Sequence, residues 1–209
     1  MLAFLLCFQM YGPNSKFELF AAQNPSTNTI SDLNELLFYC RPALEEELDK
    51  KNFLDPSWTS SIVKTRGNKT FNVEGRYNLI KDDVQILIND KPYILFGSKV
   101  DAVIIGQQEF IYSIFIEDDR EKEGYLKRLV TGRRSLFSRS AKSSKGQLET
   151  YYYSSIKEEL PVRLNTKKKE LLKLLKDRKL PLYHYIQIHK LKPSVDKDLV
   201  QIFEHYNTL

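Results

Sequence analysis

The residues best suited to contact a ligand lie in a basic segment that spans residues 120–145. This segment contains nine lysines and arginines against two acids. Two adjacent arginines followed by a phenylalanine could contact a nucleic-acid backbone while the ring stacks on a base. The same cations could rest on an anionic membrane or an acidic glycan, and a third interpretation is a solvated loop that protects a sheet edge. The candidate binding residues are Arg133, Arg134, Phe137, Arg139 and Lys142.

The three histidines do not have the spacing of a metal site. His184, His189 and His205 all lie in the last 26 residues. The first two are five residues apart on a predicted helix, which places them on different faces rather than on the shared face of an i, i+4 zinc motif. The two cysteines do not have ligand spacing either. The sequence predicts neither a metal site nor a cofactor.

Catalytic patterns are also missing from the sequence. Cys40 follows Tyr39 on an apolar helical stripe, which is typical of a small core residue rather than a nucleophile. The carboxylate pairs at 82–83 and 118–119 lie in turn-like sequence, where we expect them to be solvated. There is no Gly-x-Ser-x-Gly elbow and no phosphate-binding glycine loop. The sequence favours a protein that is not an enzyme, and no catalytic residue is predicted.

Composition and charge restrict the class of protein. Hydrophobic residues make up 42% of the 209 residues and charged residues 28%, which is typical of a globular chain. Residues 1–100 carry 11 basic and 12 acidic residues, whereas residues 101–209 carry 21 and 15. An anionic partner would therefore meet the second half. No stretch reaches the roughly 18 apolar residues of a membrane-spanning helix, so no transmembrane span is predicted in the mature chain.

The N-terminus has the features of a partial export signal. Residues 2–10 (LAFLLCFQM) form an apolar run as long as the hydrophobic region of a signal peptide, but no basic region precedes it. Residues 1–24 are accordingly interpreted as the remaining part of a leader, and the protein is predicted to be exported to the periplasm or cell envelope. The alternatives are a buried first strand or helical turn of the mature chain and a cytoplasmic location.

The remaining chain predicts an α+β fold. Residues 25–54 predict a short helical segment, and residues 55–164 predict an antiparallel sheet, sandwich or open barrel, because short alternating runs are separated by turn signals. Residues 132–147 are basic, serine-rich and without alternation, so a mobile loop is expected there. Residues 165–209 predict a helical tail that packs on this domain through apolar stripes.

Several segments resemble a known group of proteins. They are GRYNL and DDVQI at 75–79 and 82–86, GYLKRLV and SLF at 124–130 and 135–137, and YNTL at 206–209. Over residues 55–209 the chain resembles exported, uncharacterised proteins of Bacteroidota, which pair an N-terminal β region with a helical C-terminus ending in Tyr-Asn-small-Leu. The resemblance implies an envelope location and brings no activity, cofactor or catalytic residue. The chain departs from this group because no basic region precedes its N-terminal apolar run.

These observations favour a non-enzymatic envelope protein that binds a protein partner, an anionic surface or a glycan. The alternative is a nucleic-acid-binding protein that uses the basic segment at 120–145. An exported location weighs against that alternative.

Overall fold

The structure is a computed structural model that describes residues 30–142, 147–157 and 159–209. The leader predicted for residues 1–24 lies outside the described residues. The α+β class predicted from the sequence is confirmed, since one large sheet carries a short helix before it and a helical tail after it.

Eleven strands form one sheet. Their bounds are β1 Cys40–Pro42, β2 Thr59–Thr65, β3 Thr70–Asn78, β4 Asp83–Ile88, β5 Lys91–Leu95, β6 Val100–Ile105, β7 Gln108–Glu117, β8 Arg120–Val130, β9 Arg134–Lys142, β10 Leu148–Ile156 and β11 Val162–Arg163. The helices are α1 Ile30–Leu36, α2 Lys168–Leu174, α3 Lys179–Ile188 and α4 Asp196–Thr208.

The sheet closes on itself over its second half. The strand order is β1-β5-β4-β3-β2-β6-β7-β11-β10-β9-β8, and β7 also pairs with β8. Strands β7 to β11 therefore form a closed ring of hydrogen-bonded pairs, in which the contact between β11 and β7 is parallel and the others are antiparallel. The first six strands extend this ring as an open antiparallel sheet.

The hairpin turns explain why the strands are paired as the sequence predicts. Asn68 has a positive φ of 58° in the turn between β2 and β3. Asn89 and Asp90, with φ of 51° and 60°, connect β4 to β5, and Asp118 and Asp119, with φ of 52° and 59°, connect β7 to β8. Two consecutive left-handed residues match the twist of a hairpin, and asparagine and aspartate tolerate that conformation better than most residues. Each of these turns connects two antiparallel neighbours, in agreement with the antiparallel sheet predicted for residues 55–164.

The loop predicted for residues 132–147 is wrong over most of its length. Residues 134–142 form strand β9, which pairs with β10 along its whole length. The strand is covered on both faces, because Leu136 and Ser138 are buried on one side and Phe137 is buried on the other. A strand buried on both faces by serine and apolar residues does not show the alternation that identifies a half-exposed strand.

The predicted helical segment at 25–54 contains a strand as well. Helix α1 ends at Leu36, a single turn of 3₁₀-helix follows, and Cys40 begins β1 rather than continuing the helical stripe. Strand β1 pairs with β5 and forms the edge of the sheet. Pro42 suits this position, because an edge strand needs no hydrogen-bond donor on its outer side.

Three apolar clusters make up the interior. The open half of the sheet covers the first cluster together with α1, and residues such as Leu36, Phe71, Tyr77 and Val103 belong to it. The ring encloses the second, which is formed by Phe115, Leu126, Phe137 and Tyr153. The helical tail packs on β8, β9 and β10 through the third, which includes Val130, Leu136, Leu171, Leu182, Leu199, Ile202 and Phe203.

The C-terminal helix is also tied to the sheet by hydrogen bonds. The side chain of Asn207 accepts a bond from the backbone N–H of Arg134 and donates one to the carbonyl of the same residue, both at 3.0 Å. Gly132 makes room for this amide, since a Cβ atom there would lie 2.4 Å from the Asn207 Cγ atom. The end of α4 therefore has a defined position against the turn between β8 and β9.

We expect the C-terminal helix to contribute strongly to stability. Phe203 is fully buried, so Phe203→Ala should lower the free energy of unfolding by about 3–5 kcal/mol in denaturant titrations. Glu204→Ala removes the neighbouring exposed side chain and should change stability by less than about 0.5 kcal/mol. A loss below about 1 kcal/mol for Phe203→Ala would contradict the packing of α4 on the sheet.

Candidate functional site

A cleft of about 550 Å³ lies between the sheet and helix α4. Three aromatic side chains, Tyr77, Phe110 and Tyr125, line it. The ring centroids of Tyr77 and Phe110 are 4.7 Å apart in a stacked arrangement, and those of Tyr77 and Tyr125 are 6.2 Å apart edge to face. Aromatic side chains from β3, β7 and β8 thus form a continuous aromatic floor.

The walls of the cleft follow from strand and helix periodicity. Tyr125, Lys127 and Leu129 alternate along β8 and line the cleft together, as expected for residues on one face of a strand. On α4, Lys197, Val200, Gln201 and Glu204 have i, i+3, i+4, i+7 spacing and line the opposite wall. The other face of α4 is buried in the third apolar cluster. Packing of the tail therefore determines which residues face the cleft.

The carboxylate of Asp82 connects the strands that build the floor. It accepts hydrogen bonds from the hydroxyl of Tyr77, from Arg139 Nε and Nη2 at 3.2 and 3.0 Å, and from the backbone N–H of Tyr125 at 3.4 Å. Gly124 permits this approach, because a Cβ atom there would lie 2.1 Å from Asp82 Oδ2. Asp82 has a positive φ of 53° in the turn between β3 and β4. The interpretation of this aspartate as a solvated turn residue is wrong.

A buried arginine holds the wall next to the aromatic floor. The guanidinium of Arg76 lies between the rings of Phe53 and Trp58, 3.8 and 4.1 Å from their centroids. It donates a hydrogen bond of 2.9 Å to Gln85 Oε1. Because a desolvated guanidinium needs such partners, the segment from Phe53 to Trp58 is fixed to β3 and β4. Leu54, which lines the cleft, is positioned by this segment.

Two side chains of β8 that line the cleft, Tyr125 and Lys127, carry polar groups in desolvated positions. The hydroxyl of Tyr125 is buried and forms no hydrogen bond within the described part of the chain. Burial, followed by the charge of Asp82, raises the pKa of Tyr125, so the hydroxyl keeps its proton. Burial lowers the pKa of Lys127, and the attraction of Asp196 opposes this shift. No carboxylate of the described residues lies within 4.0 Å of the Lys127 ammonium.

The two adjacent arginines predicted to bind a ligand have structural contacts. Arg133 forms an ion pair of 2.9 Å with Asp177, whose carboxylate also accepts a bond from the Tyr206 hydroxyl. Arg134 is buried, and its backbone holds Asn207. Both residues therefore hold the helical tail against the sheet.

The other three predicted residues are not brought together with these arginines. Phe137 is buried inside the ring of strands, where it is not accessible to a stacked base. Arg139 lines the cleft, although its Nε and Nη2 atoms are already bonded to Asp82. The side chain of Lys142 lies outside the described part of the structure. Of the four predicted residues whose side chains the structure describes, Arg139 alone lines the cleft.

The sequence prediction missed the residues that make the cleft. Tyr125, Lys127 and Leu129 alternate within a segment that was recognised as a strand, so their common face was predictable. The contact of this face with α4 was not predictable, because it depends on how the tail folds back across β8 and β9. Lys127 was counted only as one of nine basic residues.

The cysteine and two of the histidines in the described residues have packed surroundings. Cys40 is a buried free thiol, and burial raises its pKa to about 11. The ring of Tyr185 stacks on His205, with centroids 3.7 Å apart, and also contacts His189 at 4.4 Å. No group of three or more side chains suited to hold a metal ion is found between residues 30 and 142, 147 and 157, or 159 and 209.

No known protein family, characterised protein or solved structure matches the chain. The resemblance to envelope proteins of Bacteroidota stays a prediction. Among the described residues, none of the helices combines the length and hydrophobicity needed to cross a membrane.

Asp83 should make stability depend on pH. Burial, followed by repulsion from Glu47, raises the pKa of Asp83 to about 6, and its Oδ1 atom has no hydrogen-bond partner within the described chain. A raised pKa in the folded state means that this group favours folding most below its ordinary pKa of 3.8, and that the contribution is lost as the pH rises through about 6. Asp83→Asn should therefore be more stable than the wild type at pH 7.5, and this gain should disappear towards pH 4.

The measurement is the free energy of unfolding of both proteins in urea across this pH range. Asp90→Asn is a matched control in the exposed turn between β4 and β5 and should follow the wild-type curve. An Asp83→Asn variant that is less stable than the wild type at pH 7.5 would show that this carboxylate has a stabilising partner.

Proposed function

We propose that the chain is a non-enzymatic binding protein whose cleft holds a small ligand with an apolar body. The observation that carries this proposal is the aromatic floor of the cleft, formed by the rings of Tyr77, Phe110 and Tyr125. A volume of about 550 Å³ lies within the range of small-molecule sites, and such sites combine apolar walls with a few placed polar groups.

The state of the charged groups supports binding over catalysis. Asp82 is saturated by donors from Tyr77, Arg139 and the Tyr125 amide, and Asp196 accepts a bond from Tyr152. A general acid or base must exchange a proton with a substrate. The carboxylates of Asp82 and Asp196 are instead occupied by hydrogen bonds from the protein. Envelope location, and contact with a partner protein, a glycan or an anionic surface, remain predictions from the sequence.

Nucleic-acid binding through residues 120–145 has weaker support. Four of the nine cations of this segment already have acidic partners: Lys122 pairs with Glu117, Arg128 with Glu109, Arg133 with Asp177 and Arg139 with Asp82. Phosphate contacts would have to compete with these ion pairs, and Arg134 is buried.

The proposal predicts saturable binding of a neutral apolar dye. Nile red fluorescence should rise and shift to the blue as the protein is titrated, because the dye enters an apolar environment. Val200→Trp places an indole in the cleft from the α4 wall and should weaken the dye affinity about tenfold or more, a difference of about 1.4 kcal/mol.

Ile188→Trp is the matched control, since Ile188 is exposed on α3 and does not line the cleft. This variant should bind the dye like the wild type, and circular dichroism should show that both variants are folded. The absence of saturable binding, or equal affinity of Val200→Trp and the wild type, would contradict the proposed function.

A further inference from the structure

Helix α3 presents an apolar face to solvent. Seven of its ten residues are exposed, and only one of these seven is a lysine, arginine, aspartate or glutamate. Leu180, Tyr183 and Ile188 are 69%, 42% and 74% exposed, and helical spacing places them on one side of α3. Leu182 and Ile186 are buried on the other side and pack the helix on the tail. An exposed patch of large apolar side chains is typical of an interaction surface.

Cations surround this apolar face. Residues 167–192 contain nine lysines and arginines against two acids. Lys168 on α2 places its ammonium 4.9 Å from the centroid of the Tyr183 ring, and other cations come just before and just after α3. One of the two acids, Asp177, is paired with Arg133, and within the described part of the chain none of the nine cations has a carboxylate within 4.0 Å. The surface around α3 therefore carries positive charge that the protein does not neutralise.

This charge decides which partner fits the face. A second copy of the chain would bring the same cations opposite one another, and their repulsion opposes a dimer through α3. Nucleic acid could pair with the cations, but its phosphates would leave the side chains of Leu180 and Ile188 in water. An anionic bilayer complements both features, because acidic headgroups attract the cations and apolar side chains enter the boundary between headgroups and acyl chains.

We propose that the outer face of α3 and the cations around it bind an anionic lipid bilayer. Leu180 and Ile188 enter the headgroup boundary, and Tyr183 suits this level because its ring is apolar and its hydroxyl polar. The sequence predicted such a contact for residues 120–145, and this inference assigns it to the helical tail instead. It does not depend on the proposed function, since no residue of α3 lines the cleft.

The test is co-sedimentation of the full chain with sucrose-loaded vesicles of two compositions. One contains phosphatidylcholine alone, and the other is an equal mixture of phosphatidylcholine and phosphatidylglycerol. The mixed vesicles should bind the protein about tenfold or more tightly, because several cations near an anionic surface each add to the affinity. Binding should also weaken as sodium chloride is added, since salt screens these charges. Equal affinities for the two compositions would overturn the inference.

Charge variants test whether the cations next to α3 cause this preference. Lys176→Gln combined with Lys179→Gln should weaken binding to the mixed vesicles about tenfold or more. Lys50→Gln combined with Lys51→Gln is the matched control, because these two lysines are exposed in a 3₁₀ turn before β2. The control should change the affinity less than threefold. Equal losses in both pairs would show that only net charge matters, which would overturn the assignment to α3.

Apolar variants test whether the face itself enters the bilayer. Leu180→Ser combined with Ile188→Ser should weaken binding to the mixed vesicles about fivefold or more. Ile188→Trp should shift its fluorescence to the blue when these vesicles are added. Phe38→Trp is the matched control, since Phe38 is also 74% exposed but precedes β1 in the open half of the sheet. Circular dichroism checks folding, and the comparison of vesicles on the wild type needs no variant.

Two other results would assign the face to a different partner and overturn the bilayer inference. One is binding of single-stranded oligodeoxythymidine without any preference for the mixed vesicles. The other is a dimer in sedimentation equilibrium that Leu180→Ser combined with Ile188→Ser abolishes. Vesicle binding without any binding of Nile red would contradict the proposed function alone, so the two proposals fail separately.

Discussion

A single partly desolvated carboxylate, that of Asp82, ties a turn of the open part of the sheet to two strands of the closed ring. It lies in the turn between β3 and β4 and accepts hydrogen bonds from β3, β8 and β9. Removing a carboxylate from water is costly unless donors replace the lost hydration, so the turn must stay where these donors converge. Pairing of β6 with β7 joins the open part of the sheet to the ring, and Asp82 adds a link from the turn after β3 to β8 and β9.

This constraint extends to the cleft. Because Gly124 has no side chain, the Asp82 carboxylate can approach the backbone of β8 next to Tyr125. The Tyr77 and Tyr125 rings are then brought edge to face, and the buried Tyr125 hydroxyl has no hydrogen-bond partner among the described residues. The aromatic floor of the cleft thus follows from how the open sheet and the closed ring are joined, and helix α4 supplies the facing wall.

The basic second half of the chain illustrates what could be predicted from the sequence and what could not. The hairpins and the helical tail follow from local turn chemistry and periodicity, which act over a few residues. Strand β9 escaped prediction, because Ser138 and Phe137 are buried on opposite faces and the segment shows no alternation. The partners of Arg133 and Arg139, Asp177 and Asp82, are 44 and 57 residues away, and no local pattern indicates such pairs.

The central claim is that the interaction of Asp82 with its donors fixes the turn between β3 and β4 against β8 and β9. It is tested most directly by a double-mutant cycle of Asp82→Asn, Arg139→Gln and the combined variant, with free energies of unfolding from urea titration. Both side chains are mostly shielded from solvent, with exposed fractions of 15% and 19%. We therefore expect a favourable coupling energy of about 1–3 kcal/mol between them. A coupling energy within about 0.5 kcal/mol of zero would contradict the central role of this carboxylate.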